Sequence, residues 1–130
     1  MIIKLKRAYD DYSKEDGFRI LVDRLWPRGI KKEDLHMDYW AKDIAPSNEL
    51  RKWFHENPDE EWAEFTKRYK KELDAADIDA FLKLIADHDT VTLLYSSKDH
   101  EHNNAVVLKE YIESSKAYSR FSSSFRSSVY

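Results

Sequence analysis

The residues best suited to bind a ligand or carry out chemistry lie in one short segment, residues 22–29, with the sequence VDRLWPRG. The segment follows branched apolar residues that predict a buried strand, and ligands of open α/β sheets bind at the carboxyl ends of strands. Two guanidinium groups there, Arg24 and Arg28, would form a fork for a phosphate or carboxylate group, with Asp23 orienting one of them. The structural alternative is an Asp–Arg pair that only tethers the turn.

A second polar segment, residues 95–104 (YSSKDHEHNN), follows another run typical of a buried strand. A strand, a polar loop and a helix start at Asn103 would form an anion cradle, because free amide groups and the helix dipole converge there. Lys98 or His102 could move a proton in any reaction at this edge. His100 and His102 could bind a metal ion, but no third ligand can be named, so a solvated loop is favoured and no metal or cofactor is expected.

A third group consists of Lys42, Ser47 and Arg51. The two basic residues would either extend an anion pocket or be solvated helix residues. Ser47 could act as a nucleophile near His55, but no G-x-S-x-G elbow surrounds it. A serine before a helical pattern is ordinarily an N-cap, which is the favoured interpretation here.

Three segments predict strands that would bring these groups together. Residues 2–9 alternate between apolar and charged side chains, as in a half-exposed strand near a sheet edge. Residues 18–22 and 90–96 are branched and apolar, as in strands covered on both faces. The link over residues 10–17 is short for a parallel crossover, so the first two strands could also form an antiparallel pair.

Apolar residues at helical spacing predict at least four helices. One lies behind a Ser47 cap, one starts at Pro58 behind Asn57, one lies behind Asp77, and one starts near Asn103–Asn104. A weaker helix is predicted over residues 32–43. The order of elements favours a single α/β domain with a small, largely parallel sheet flanked by helices.

Composition excludes several classes of protein. The 130 residues contain no cysteine, which leaves no disulfide, thiolate nucleophile or cysteine-based metal site. Twenty-two basic and 25 acidic residues give a net charge of −3, which does not favour a nucleic acid or an anionic membrane as partner. No apolar run is long enough for a membrane span and the first residues do not form a signal peptide, so a cytoplasmic protein is expected.

The last residues differ in character from the rest. In residues 114–130, eight of seventeen residues are serine and the charged residues are all basic, so we predict a flexible tail after a domain over 1–113. A remnant without function is an equally good interpretation of this tail.

Several motifs together resemble the YeaO-like branch of the domain-of-unknown-function family 488. They are ILVDRLWPRGI, the run from Lys42 through Ala45-Pro46-Ser47 to Leu50-Arg51-x-Trp53-Phe54, the helix Phe65…Tyr69…Glu72-Leu73, and LLYSSKDHEHNNAVVL. The resemblance covers about residues 1–113 and implies a small bacterial or archaeal cytosolic α/β protein. The matching polar and turn positions are Arg7, Asp23, Arg24, Pro27, Arg28, Lys42, Ser47, Arg51, Tyr69 and Asn103.

The chain also departs from the family pattern. Where the wider family has cysteine at a strand end this chain has Tyr95, and Asn104 stands where the branch has histidine. Near residue 55 the branch reads Gly-His, whereas this chain has His55-Glu56. These departures remove thiol chemistry and weaken general acid–base catalysis by histidine.

We therefore expect a small anionic ligand, bearing phosphate or carboxylate, at the carboxyl edge of the sheet. Asp23, Lys98 and His102 are the candidate catalytic residues if a reaction occurs. The candidate anion-binding residues are Arg7, Arg24, Arg28, Lys42, Ser47, Arg51 and Asn103. The alternative is a non-enzymatic regulatory or nucleic-acid-associated protein whose arginines and basic tail contact phosphates. A deep pocket containing both strand ends favours the first hypothesis, and a flat basic face favours the second. A structure with neither feature favours a purely structural role for these residues.

Overall fold

The structure is a computed structural model that describes residues 1–56 and 60–115. Within these residues the chain forms four β-strands and five α-helices, with short 3₁₀ helices at Lys14–Asp16 and Lys42–Ile44. The elements in chain order are β1 (Ile2–Arg7), β2 (Phe18–Leu21), α1 (Lys32–Leu35), β3 (Tyr39–Trp40), α2 (Asn48–Glu56), α3 (Trp62–Ala75), α4 (Ile78–Ala86), β4 (Thr90–Tyr95) and α5 (Asn104–Ser114). The α/β architecture predicted from the sequence is confirmed.

The strands form one sheet in the order β1-β4-β2-β3, and every neighbouring pair is parallel. The predicted edge position of β1 is confirmed, and β4 is paired on both sides. β1 and β2 are not neighbours, because β4 lies between them, so they do not form an antiparallel pair. The carboxyl ends of all strands in the described residues therefore lie along one edge of the sheet.

The link from β1 to β2 crosses the start of β4 without a long helix. Gly17 makes this crossing possible: its φ is +67°, and a Cβ there would lie 2.2 Å from the carbonyl oxygen of Thr90. The Thr92 hydroxyl donates to the carbonyl of Asp16 at 2.6 Å and fastens the link to the sheet. A glycine is required at this position both by its backbone angle and by the space available.

The two faces of the sheet carry different cores. One face is apolar and packs against helices α2 to α5, with Ile20, Leu93 and Tyr69 among its fully buried residues. The other face packs Leu21 and Leu94 under the segment that contains α1 and Trp26 and Trp40. A strand buried on both faces explains why β2 and β4 read as continuous apolar runs.

A buried ion cluster also lies on the second face. The guanidinium of Arg19, only 1% exposed, pairs with the Asp16 carboxylate and donates to the Leu35 carbonyl at 2.8 Å. Burial raises the pKa of Asp16, but hydrogen bonds from Lys6, the Ser13 amide and Arg19 outweigh it and hold the pKa below its ordinary value. This charge is satisfied within the fold and serves to anchor the β1–β2 link.

The helix predicted over residues 32–43 is wrong beyond Leu35. His36 takes a left-handed conformation (φ 52°) that ends α1 after one turn. The Asp38 carboxylate then accepts from the Arg19 amide at 2.8 Å, and Tyr39–Trp40 pair with Ile20 and Leu21 as β3. Long-range pairing with β2 overrides the local helical spacing.

The remaining helices agree with the sequence, with one difference. Ser47, Asp77 and Asn103 cap α2, α4 and α5 through their side chains, as predicted. The predicted cap Asn57 and first residue Pro58 lie outside the described residues, and α3 begins at Trp62. Residues 116–130 of the predicted tail also lie outside them, while Ser114 is the last residue of α5. In the described chain no helix is long and apolar enough to cross a membrane.

Candidate functional site

Two hydrogen bonds join the chain after β2 to the chain after β4. The Oδ2 atom of Asp23 accepts from the backbone amide of Ser96 at 2.8 Å. The Nδ2 atom of Asn104, in the first turn of α5, donates to the carbonyl of Val22 at 2.8 Å. The two segments that the sequence singles out, 22–29 and 95–104, therefore meet at the carboxyl edge between β2 and β4.

Asp23 is half-buried at this meeting point. Burial raises the pKa of its carboxyl above the ordinary value, while hydrogen bonds from Ser96 and Asn104 and the charge of Arg51 act in the opposite direction. Desolvation outweighs them because the charged form loses more hydration than its partners restore. Asp23 is thus a carboxyl group whose ionised form is disfavoured at a strand end.

Arg24 does not pair with Asp23 in the described structure. Its Nε donates to the Pro46 carbonyl at 3.0 Å and its Nη2 donates to the Ala45 carbonyl at 3.1 Å. The prediction that Asp23 orients this guanidinium is therefore wrong for the described structure. Two main-chain carbonyls hold the Arg24 side chain instead. Arg24 holds the residues before α2 against the end of β2, and only part of its donor capacity remains for a ligand.

Ser47 is engaged on both sides of its hydroxyl group. The Oγ atom accepts from the Leu50 amide at 3.1 Å and donates to Oε2 of Glu72 at 2.7 Å. Its backbone amide donates to Oε1 of Glu72 at 2.9 Å. This geometry is that of a helix cap tied to α3, and within the described part of the chain the hydroxyl has no histidine partner that could activate it.

Tyr69 lies beneath these groups and is fully buried. Its hydroxyl donates to the Ile44 carbonyl at 2.7 Å. Burial raises the pKa of Tyr69 strongly, and the charges of Asp23 and Glu72 raise it further against the opposing effect of Arg24. The phenol therefore stays neutral, and its hydrogen bond to Ile44 ties α3 to the segment that precedes α2.

Arg51, one turn into α2, is half-buried. Its Nε is one of two buried side-chain polar atoms in the described residues that have no hydrogen-bond partner. Its charge acts on the Asp23 carboxyl. We refer to Asp23, Arg24, Arg51 and Tyr69 as the inner cluster.

Three other predicted residues lie at or after the carboxyl ends of β1, β2 and β4, along the same edge. Arg7 donates from Nε to the Ser97 carbonyl at 2.9 Å and lies over the Tyr9 ring at 4.6 Å. The Tyr9 hydroxyl in turn donates to the Arg28 carbonyl at 2.8 Å. The side chains of Arg28 and Lys98 are exposed. We refer to Arg7, Arg28 and Lys98 as the outer rim.

The remaining candidates belong to neither group. The Lys42 ammonium is exposed and lies 4.8 Å from the centre of the Trp40 ring. Asn103 is buried, and its side chain accepts from the Val106 amide at 3.1 Å and donates to the Asp99 carbonyl at 2.9 Å. The His102 ring stacks on Trp62 with 4.7 Å between ring centres. Asn103 is thus committed to the α5 cap, whereas proton transfer by His102 stays a prediction.

No group of three or more Asp, Glu or His side chains within residues 1–56 and 60–115 is arranged to hold a metal ion. A groove of about 580 Å³ between α2 and α3 is lined by Leu50, Trp53 and Glu72, among others. A second groove of about 500 Å³ lies at the opposite, amino-terminal edge, by Gly17 and His88. Neither groove is lined by residues 22–29 or 95–104, so neither is the pocket joining both strand ends that the first hypothesis expects.

Two residues important to this geometry were not among the sequence-predicted site residues. Glu72 accepts both hydrogen bonds that Ser47 donates, and Asn104 ties α5 to Val22, directly after β2. The signal for Glu72 was its position three residues after Tyr69 on the buried face of α3. Asn104 stood out as a candidate start of the last helix and as a departure from the family pattern, but its long-range partner Val22 leaves no mark in the local sequence.

The comparison with known sequences decides the family. The sequence model described as the inactive DUF488-N3 subclade matches residues 2–129. The chain belongs to the DUF488 family. This confirms the resemblance drawn from the motifs, and the match extends into the residues predicted to form a tail.

Two curated relatives of this DUF488 protein illustrate its place in the family. It is 48% identical over 115 residues to the uncharacterized protein YeaO of Escherichia coli strain K12, covering 88% of this chain and 99% of that protein. It is 39% identical over 108 residues to the uncharacterized protein Rv3073c of Mycobacterium tuberculosis strain H37Rv, covering 83% and 91%. No solved structure matches the chain at a significant level.

Proposed function

We propose that this DUF488 protein is a non-catalytic binding domain for a small oxyanion, a phosphate or carboxylate group, held at the inner cluster. The observation that carries the proposal is the buried Nε of Arg51, which has no acceptor among the described residues. A buried donor without a partner costs about 1–3 kcal/mol. An oxyanion beside Arg51 would offset that cost with a charge-assisted hydrogen bond.

Three further observations support binding without catalysis. The matching family model is described as an inactive subclade. The sequence contains no cysteine, and the hydroxyl groups of Ser47 and Tyr69 are committed to Glu72 and to the Ile44 carbonyl. The hydroxyl groups of Ser47 and Tyr69 therefore stabilise the fold around the proposed site. Arg51 is the residue of the inner cluster that has a buried donor without a partner in the described structure.

The test is denaturant unfolding with and without inorganic phosphate at constant ionic strength, together with calorimetric titration of the folded protein. A ligand that binds only the folded chain at one hundred times its Kd stabilises it by about 2.7 kcal/mol. We expect phosphate to increase the free energy of unfolding of the parent chain. In the Arg51→Gln variant this stabilisation should be lost. Lys52→Gln, on the exposed face of the same helix, is the matched control and should keep the effect.

Arg28→Gln separates the inner cluster from the outer rim, because the Arg28 side chain is exposed at the same edge. We expect this variant to retain the phosphate effect. Loss of the effect in Arg28→Gln with retention in Arg51→Gln would move the anion to the outer rim and overturn the proposal. The proposal is also overturned if phosphate does not change the stability of the parent chain.

A further inference from the structure

The groove between α2 and α3 is lined by none of the inner-cluster residues. Part of its lining is apolar: Leu50, only 5% exposed, and the half-buried Trp53 come from α2, and Ala75 comes from α3. The buried centres of protein interfaces are enriched in aromatic residues and depleted of charge. The apolar part of this groove therefore has the composition of a contact surface for another chain.

Arg68 and Trp53 form a fixed contact at this groove. The guanidinium carbon of Arg68 lies 4.2 Å from the centre of the Trp53 ring, and its Nε donates to Oε1 of Glu64 at 3.0 Å. These contacts restrict the arginine side chain, so less conformational freedom would be lost when another chain packs against it. Tryptophan and arginine are also the residues that most often dominate the binding energy of an interface. The pair therefore marks the expected centre of an interface.

The charges that line the groove are divided between the two helices. Glu49 lies on α2, whereas Arg68 and Lys71 lie on α3. Glu72 also lines the α3 side, but both of its carboxylate oxygens accept from Ser47. Glu49 and Lys71 are exposed, and neither forms an ion pair with another described residue. The groove therefore has an acidic side on α2 and a basic side on α3.

The two unpaired charges lie at the same level along the groove. The arginine–tryptophan contact joins a later residue of α2 to an earlier residue of α3 than the contact between Ser47 and Glu72 does, so the helices are antiparallel. Glu49 follows Ser47 by two residues, and Lys71 precedes Glu72 by one. Glu49 and Lys71 therefore lie opposite each other on the two sides of the groove.

A second copy of this chain is the partner that matches this charge pattern. Most homo-oligomers are two-fold dimers, in which one surface packs against itself. A two-fold axis parallel to the groove places α2 of one copy over α3 of the other, so Glu49 of each copy faces Lys71 of the other copy. An axis across the groove would place like charges together. A uniformly acidic or basic partner would be attracted by one side of the groove and repelled by the other.

We infer that this groove is the interface of a homodimer, with the arginine–tryptophan contacts of both copies at its centre and two Glu49–Lys71 ion pairs between the copies. The inference goes beyond the proposed function and does not depend on it. The two helices contain 9 and 14 residues, which makes them about 14 and 21 Å long. An interface of this extent is at the small end of the range, so we expect a dimer that dissociates on dilution.

Sedimentation velocity of the full chain over a series of protein concentrations measures the dimer dissociation constant. Glu49→Lys or Lys71→Glu replaces two attractions by two repulsions, because each substitution acts at both symmetry-related contacts. We expect either variant to raise the dissociation constant about tenfold or more. Glu33→Lys and Lys32→Glu, exposed on α1 at the other face of the sheet, are the matched controls and should leave the dissociation constant unchanged.

Mixing the two groove variants tests the pairing itself. When Glu49→Lys is mixed with Lys71→Glu, opposite charges face each other at both contacts of a mixed dimer. We expect this mixed dimer to form with a dissociation constant within about threefold of the parent value, and the double variant to dimerise equally well with itself. Native mass spectrometry, with one variant labelled with ¹⁵N, identifies the mixed dimer. Its formation also shows that both single variants are folded.

Three results would contradict the inference. A parent chain that stays monomeric at every concentration would leave the groove to a partner of different sequence. A dimer that neither Glu49→Lys nor Lys71→Glu weakens must use another surface. If both single variants lose the dimer and mixing does not restore it, Glu49 and Lys71 do not face each other across a two-fold axis.

Discussion

Ser47 and Glu72 form a two-point contact, with the Ser47 amide 2.9 Å from Oε1 and the Ser47 hydroxyl 2.7 Å from Oε2. Because Ser47 also caps α2, this contact fixes the first turn of α2 against α3. Pro46, whose carbonyl accepts a hydrogen bond from Arg24, directly precedes Ser47 in the chain. Arg51 follows Ser47 by one helical turn. The arrangement of the inner cluster therefore depends on a contact between two helices.

We expect Ser47→Ala to destabilise the chain by about 1–2 kcal/mol, because it removes a helix cap and one partner of Glu72. Glu72→Gln keeps one acceptor and should cost less. Urea unfolding of both variants and the double variant gives the coupling between the two side chains, which we expect to be at least about 0.5 kcal/mol. Asn48→Ala, exposed in the same turn, is the control, and strictly additive effects would contradict the coupling.

Arg24 and Arg28 should differ sharply although they are four residues apart. Arg24→Ala leaves the carbonyls of two buried residues, Ala45 and Pro46, without donors and should cost about 1–3 kcal/mol. The exposed Arg28 side chain should change stability by no more than about 0.5 kcal/mol when replaced by alanine. Urea unfolding of the two variants checks this, and equal losses would show that Arg24 is not a structural anchor.

These two arginines also mark the limit of what the sequence could predict. The buried strands β2 and β4 and the caps Ser47, Asp77 and Asn103 followed from local spacing. The sequence placed Arg24 and Arg28 together as a fork. It could not show that Arg24 bonds to carbonyls 21 and 22 residues away, since such contacts depend on the path of the chain after β3.

The short strand β3 was missed for a related reason. Its two residues are too few to show period-two alternation, and Leu35, Tyr39 and Trp40 happen to match helical spacing. What holds them is the Trp40 indole, which donates to the Asp23 carbonyl at 2.7 Å, and the pairing with β2. The meeting of Asp23 with Ser96 was expected only in outline, because parallel strand ends share an edge but their side-chain partners are not encoded locally.

Asp23 should also leave a signature in the pH dependence of stability. Its pKa is raised by burial in the folded chain, so the folded state holds the proton more tightly than the unfolded state. Stability is then lost as the pH rises from the ordinary value, 3.8, through the raised value. Asp23→Asn removes this loss, so its stability relative to the parent should increase as the pH rises across that window.

Urea unfolding at a series of pH values from 3 to 7 measures this difference. Asp16 acts in the opposite sense, since its pKa is lowered and its contribution disappears as the pH falls below 3.8. Asp16→Asn should therefore lose its disadvantage relative to the parent as the pH falls. If Asp23→Asn and the parent chain differ by the same amount at every pH, the carboxyl of Asp23 is not perturbed by folding.

Gly17 and Gly29 both have positive φ, +67° and +84°, so alanine at either position is strained by about 1–3 kcal/mol. A Cβ at Gly29 would meet nothing within 4 Å, whereas one at Gly17 would lie 2.2 Å from the Thr90 carbonyl oxygen. Backbone atoms at the start of β4 cannot move aside without disturbing the sheet, so Gly17→Ala should cost clearly more than Gly29→Ala. Urea unfolding of the two variants measures the difference, and equal costs would mean that the β1–β2 link can shift away from β4.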